Sequence, residues 1–303
     1  MDLEKYIKTI QKENIAVDSI FVSEKNTLQK YIINEYNLHQ LRSCSKIFVA
    51  FAYGIAMHEK YICKDGNVLT LDTKVYSTFE KLVKNIPEYV KDWTIRTLLT
   101  HTTGYEKMML NEKHIQSLNT QNYLQVLFDT KLKYKPNTHF VYSNVEPYLL
   151  SVFFQENFDK NLSEYVNEKI FIPMGINKYF WKNLGQYCAG ATGLEISHND
   201  FHKIAQMFYD DGKYQQQQIV PLAWVLEMKK AQVECPDYYK KERFYPKISA
   251  GYFVWQSRDK IVFRDGADGQ YIICDSKNDR LITIMSSEKE MSKVIECLRG
   301  IIE

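Results

Sequence analysis

Apolar and polar positions change rhythm twice along the 303-residue chain. Residues 17–23 (VDSIFVS) are rich in β-branched and aromatic residues and predict a strand. Residues 26–36 continue as a second strand or a helix. Residues 43–60 begin small and polar, then place Ile47, Phe48, Phe51, Ile55 and Met57 at helical spacing. Lys64-Asp65-Gly66-Asn67 reads as a turn. From 72 to 200 the pattern is mainly helical, with helices over 94–100, 120–130, 144–157, 162–171 and Asn199 to Asp211. Lys135-Pro136-Asn137 and Pro173-Met174-Gly175 break it as turns. The C-terminal part is β-rich, with runs at 249–256, 260–264, 270–275 and 281–286, before a helix from Glu288 to Ile302.

This rhythm predicts an α+β fold. One strand near the start and four near the end build one antiparallel five-stranded sheet flanked by helices. The helical middle is an inserted lobe. The chain reads as a single domain over 1–303, with an α/β lobe over about 1–65 and 200–303 and a helical lobe over about 66–199. The junction of two such lobes leaves a cleft, the usual place for a small-molecule site.

Composition narrows the function classes. Lys and Arg number 39 against 37 Asp and Glu, a net charge of +2, so no basic stripe for nucleic acid is expected. Hydrophobic content of 45% and charged content of 25% are ordinary globular values. No apolar run approaches the ~18 residues of a membrane span. No leader-like apolar segment is visible at the N-terminus, and the expected location is cytoplasmic. The six cysteines, at 44, 63, 188, 235, 274 and 297, form no C-x-x-C pair and read as reduced, mostly buried thiols. Neither a metal nor a cofactor is expected. His198 and His202 stand four apart on a helix start, but no acidic third ligand accompanies them.

Three short motifs carry the candidate chemistry. S-x-x-K occurs at Ser43/Lys46, Ser257/Lys260 and Ser286/Lys289, and only the first opens an apolar helix. Residues three apart share a helix face, so Lys46 can reach the Ser43 hydroxyl. A buried lysine loses basicity and can act as a base. Tyr142-Ser143-Asn144 follows a turn, where a phenol can point into a cleft and move protons. Arg264-Asp265-Gly266-Ala267-Asp268-Gly269-Gln270 lies between two strand runs. It reads either as a hairpin turn in which Gly266 and Gly269 supply positive φ, or as an edge strand where Gly266 permits close approach and the Ala267 N–H points into the cleft. Paired with the Ser43 N–H, that N–H would form an oxyanion hole.

The order and spacing of these motifs resemble the serine β-lactamase and penicillin-binding-protein superfamily, in particular class C-like serine hydrolases. Leu41 to Phe48, Asn67 to Val75, Thr94 to Gly104 with its Thr-His-Thr-Thr-Gly, Phe140 to Asn144, Phe171 to Gly175 and Gly266 to Tyr271 each look like a segment of that family. The resemblance implies the β-lactamase/transpeptidase-like fold over roughly residues 17 to 290. It also implies an acyl-enzyme mechanism. Ser43 is then the nucleophile, Lys46 shuttles its proton, and Tyr142 acts as general base and later protonates the leaving group. Asn144 hydrogen-bonds substrate or Lys46, and the Ser43 and Ala267 N–H groups bind the oxyanion. His101 reads as a structural hydrogen-bonder.

One departure bears on specificity. Where the family usually has Lys-Thr-Gly or His-x-Gly, this chain has Arg264-Asp265-Gly266. An arginine fork replaces a point charge, and a carboxylate replaces a hydroxyl. Asp265 and Asp268 together predict a neutral or cationic ligand. The expected substrate is a small ester, amide or peptide, with the oligomeric state left open. The alternatives are a penicillin-binding DD-peptidase or β-lactamase, an acyltransferase using the same residues, and a catalytically idle binding module with the same fold.

Overall fold

The computed structural model describes residues 1–299 except 26, 36 and 241–243. Six helices position the site: α1 (Leu3–Lys12), α2 (Lys46–His58), α3 (Ile95–Leu99), α4 (Val145–Phe158), α5 (His198–Tyr209) and α6 (Met291–Glu296). The C-terminal helix expected to Ile302 ends at Glu296, and residues 300–302 of that expectation lie outside the described residues. Helix α2 is buried from Lys46 to Ala56. It runs through the core, which is why its sequence is apolar almost all round.

The main sheet has β1 (Val17–Glu24), β2 (Thr27–Ile32), β3 (Val233–Glu234), β4 (Ser249–Ala250), β5 (Trp255–Gln256), β6 (Ile261–Gly266), β7 (Gln270–Asp275) and β8 (Arg280–Ser286). Its order is β3-β4-β5-β6-β7-β8-β1-β2, antiparallel throughout. The sheet thus has eight strands among the described residues, where five were expected. Residues 249–256 fold as a hairpin of two short strands because Phe253 turns left-handed at φ 60° and Gly251 N–H reaches Val254 O at 3.0 Å. Gly251 itself presses on Met228 O, 1.9 Å from where a Cβ would stand. The other additions are β3, only two residues long, and β2, whose first four residues are exposed. Neither shows the buried alternation that marks a strand in sequence.

Side chains alternate across the sheet. Tyr271 and Ile273 of β7 pack with α1 and α6 around Tyr6, Ile10, Val294 and Ile295. Ile272 and Cys274 face the larger cluster with α2, α4 and α5. Both faces are therefore covered, and the strands read as continuous apolar runs. Strand β5 pairs with β6 only at Val262 and Phe263. Residues 264–266 thus present a sheet edge toward the start of α2.

Candidate active site

Ser43 lies in a short 3-10 turn, Arg42–Ser45, immediately before α2. It is half-buried, whereas Lys46 is fully buried. The turn carries Lys46 one step further round the same face, and Lys46 Nζ lies 3.1 Å from Ser43 Oγ. The same nitrogen is 2.7 Å from Asn144 Oδ1 and 3.1 Å from Ala191 O. Burial, reinforced by the nearby Arg264 charge, pushes the Lys46 ammonium well below its ordinary value. A neutral amine has two N–H groups and one lone pair. The Asn144 and Ala191 oxygens can take both N–H groups, which turns the lone pair to Ser43.

Tyr142 and Asn144 stand just before α4. Ser143 Oγ accepts from Met109 N at 3.0 Å and from Val145 N at 3.3 Å, pinning this loop to the helix start. Asn144 Nδ2 donates to Leu110 O at 3.0 Å, so its oxygen is aimed at Lys46. The half-buried Tyr142 ring sits 4.9 Å from Lys46 Nζ. Its hydroxyl accepts from Arg264 Nη2 at 2.6 Å. Burial pushes the Tyr142 phenol up despite the Arg264 charge, so the phenol keeps its proton near neutral pH.

Arg264 comes from β6, on the side of the strand that faces Ser43. Its Nε and Nη2 donate to Ser43 O at 2.9 and 2.8 Å. The arginine fork therefore holds the Ser43 backbone and the tyrosine together, a geometry that one ammonium could not supply. Asp265 is placed elsewhere. Trp255 Nε1 donates to its Oδ1 at 2.8 Å, and Lys247 Nζ pairs with its Oδ2 at 2.6 Å. Burial would raise the Asp265 carboxyl, but Lys247 and Arg264 overcome this and hold it below its ordinary value. Its charge is spent on Lys247. Asp268 is likewise engaged, by Arg42 Nη2 at 2.7 Å and Lys289 Nζ at 3.1 Å. The two aspartates that suggested a neutral or cationic ligand are thus each paired with the protein's own cations.

Gly266 is extended at φ −135°, so it is not the positive-φ position of the turn; Asp268 at φ 61° and Gly269 at φ 84° are. Glycine is needed at 266 for a close approach. A Cβ there would lie 2.7 Å from Leu41 O and 3.1 Å from Ser43 N. This contact brings the exposed Ala267 near the Ser43 backbone. On the far side of β6 from Arg264, a cavity of about 300 Å³ is lined by Tyr245, Lys247, Phe263, Asp265, Tyr271 and Ile295 among others.

A second buried pair supports the tyrosine loop. His101 Nδ1 lies 2.9 Å from Glu146 Oε2, and Thr103 Oγ1 donates to Glu146 Oε1 at 2.6 Å. The His101 ring is 5.1 Å from that of Tyr142. Burial pushes the His101 imidazole down in spite of Glu146, so it is neutral and supports rather than reacts.

The family model described as Beta-lactamase matches residues 20–299. The chain belongs to the beta-lactamase family. No curated protein matches the chain. Among solved structures, it resembles the octameric penicillin-binding protein homologue from Pyrococcus abyssi at a TM-score of 0.76 and 18% identity, covering 100% of this chain and 77% of that one. It resembles a class C beta lactamase from Rhodobacter sphaeroides at 0.71 and 14% identity, covering 99% of each chain. The third likeness is to EstCE1, a hydrolase with promiscuous acyltransferase activity, at 0.73 and 14% identity, covering 98% of this chain and 97% of that one. At these identities the likeness is one of fold, the β-lactamase/transpeptidase-like fold. Among the described residues no helix is long and apolar enough to cross a membrane, and no group of three or more His, Cys, Asp or Glu side chains could hold a metal ion.

Several partners in this site had no signal in the sequence. Ala191 contributes a main-chain oxygen, which any residue carries. Lys247 and Trp255 reach Asp265 from outside the motifs, and Glu146 reads as an ordinary residue of the first turn of α4. The Arg264 grip on Ser43 O becomes visible only when β6 and the start of α2 lie side by side.

Proposed function

We propose that this beta-lactamase-family chain is a serine hydrolase that cleaves a small ester or amide through an acyl-enzyme on Ser43. The observation that carries the reading is the placement of the deprotonatable Lys46 Nζ 3.1 Å from a half-buried Ser43 Oγ, with Tyr142 and Arg264 closing the other side.

Lys46, neutral in its burial, takes the Ser43 proton as Oγ attacks the substrate carbonyl. The Ser43 and Ala267 N–H groups receive the developing oxyanion. Tyr142, still protonated, gives its proton to the leaving alcohol or amine, and Arg264 stabilises the phenolate left behind. Lys46 then returns a proton to Tyr142 along the short path between them. Water repeats these steps in reverse to release the acid. The raised Tyr142 pKa favours Lys46 as first proton acceptor and Tyr142 as the donor to the leaving group, where the sequence reading had Lys46 shuttle the Ser43 proton and Tyr142 act as general base as well.

A neutral or modestly polar acyl substrate fits best, because Asp265 is occupied by Lys247 and Trp255. The test is intact-protein mass spectrometry after exposure to a fluorophosphonate, p-nitrophenyl butyrate and a fluorescent penicillin, beside Ser43→Ala. A single adduct from the fluorophosphonate or the ester, lost in Ser43→Ala, supports the reading. A stable penicillin adduct redirects it to a DD-peptidase. No adduct from any probe overturns it in favour of an idle binding module.

A further inference from the structure

The two main-chain donors of the proposed oxyanion hole are each bordered by an unusual residue. Arg42, just before Ser43, is left-handed at φ 49°, and Asp268, just after Ala267, is left-handed at φ 61°. Neither is glycine; aspartate enters the left-handed region comparatively readily, whereas arginine stays there only where its surroundings hold it. Arg42 Nη2 and Asp268 Oδ2 are 2.7 Å apart, and Lys289 Nζ adds a second cation at 3.1 Å from Asp268 Oδ1. The peptide unit that leaves Arg42 is the one that carries the Ser43 N–H. Its direction therefore depends on the conformation of Arg42.

We propose that the Arg42–Asp268 ion pair is a clamp that sets the oxyanion hole of this chain, making Arg42 and Asp268 positioning residues. The inference rests on the reading of Ser43 as nucleophile. Three ties join segment 41–43 to segment 264–268: the Arg264 fork on Ser43 O, the bare Gly266 against Leu41 O and Ser43 N, and this pair. The first two hold the buried side of the junction. The pair closes the outer side, where Arg42 is 33% and Asp268 16% exposed, so solvent weakens it without cancelling it. Without it, Arg42 can relax out of the left-handed region, and the Ser43 N–H turns from the carbonyl it should meet. A hole donor acts on the transition state more than on bound substrate. The loss therefore falls on kcat.

The experiment is a double-mutant cycle of Arg42→Gln, Asp268→Asn and the two together, assayed on p-nitrophenyl butyrate. Circular dichroism confirms that each variant is folded. Each single variant should lower kcat by roughly 10- to 100-fold, somewhat less than deletion of a whole donor, with KM changed by less than about 2-fold. The double variant should lose no more than either single one, because the pair is broken once. Arg42→Gly, which accepts the left-handed conformation without strain, should retain more activity than Arg42→Gln. Additive losses, a change confined to KM, or unchanged kcat overturns the clamp. Absence of an adduct from the fluorophosphonate, the ester and the penicillin alike in the wild-type protein overturns instead the assignment of Ser43, and with it the hole itself.

Discussion

Two polar clusters in this molecule each place a serine beside a nitrogen base. In one, Ser43 meets Lys46, Asn144, Tyr142 and Arg264. In the other, on β1, Ser19 Oγ is hydrogen-bonded with His198 Nδ1, the His198 ring lies 5.5 Å from His39, and His39 Nε2 is 3.1 Å from Asp18 Oδ2. By residue type, the serine, histidine and aspartate of the second are the better imitation of a hydrolase triad. Its serine is only 3% exposed, however, and lies mid-sheet between β8 and β2. The main-chain N–H groups there belong to the ladders and cannot bind an oxyanion. Asp18 also receives Ser287 Oγ at 2.7 Å and Asn34 Nδ2 at 2.9 Å, so its bonds tie strands together. On the proposed reading, access and donors aimed at developing charge set the Ser43 site apart, since a serine beside a base does not suffice for reactivity.

The sharpest way to break that contrast is to remove each serine. Ser43→Ala should cut kcat on p-nitrophenyl butyrate by at least about 10³-fold. Ser19→Ala should leave kcat within about 2-fold. Comparable losses from both would erase the distinction. The next effect is on stability. Asp265→Asn leaves Lys247 buried without its partner charge, at a cost of about 3–5 kcal/mol. The thermal midpoint should fall by roughly 10 °C for a chain of this size. A shift under about 3 °C would show that the pair is not structural.

Tyr142→Phe keeps the ring contacts but removes the proton relay. It should lower kcat about 10²-fold and leave the thermal midpoint nearly unchanged. A smaller loss with an activated aryl ester than with an anilide would locate the defect in leaving-group protonation. Equal losses on both would move the role elsewhere.

The smallest effect distinguishes the histidine cluster by pH. Burial pushes His198 and His202 down to about 4. An unfolded chain holds their protons up to about 6.5. Between those values the unfolded state binds more protons, so stability is full above about pH 6.5 and is lost as pH falls toward 4. Thermal midpoints from pH 7 to 4.5 should drop in the wild-type protein and drop less in His202→Gln, whose amide can still pair with Ser23 or Thr283. Identical slopes would detach the cluster from acid sensitivity.

Much of this was legible in the chain. Ser43/Lys46 stood out from the other two S-x-x-K matches because only it opened an apolar helix, and that helix is α2. The site ends of Tyr142-Ser143-Asn144 were legible from the turn before them and the helix after. The short strands β3, β4 and β5 were not, because two residues cannot show a period. Neither was the fate of Asp265. Its sequence neighbours are Arg264 and Gly266, but its partners Lys247 and Trp255 lie 18 and 10 residues away.

The sequence by itself determined the α+β architecture, the family and the three segments that meet at Ser43. Periodicity and turn chemistry are local, and a handful of residues records them. Tertiary structure alone decided how charges pair and which way a main-chain group points. Those depend on distances between segments far apart in the chain, where Arg264 grips Ser43 O, Ala191 O accepts from Lys46 Nζ and Arg42 reaches Asp268. Hydrogen bonds need donor and acceptor within about 3.5 Å, and screened charges weaken beyond about 10 Å. No linear pattern records which groups folding will bring that close.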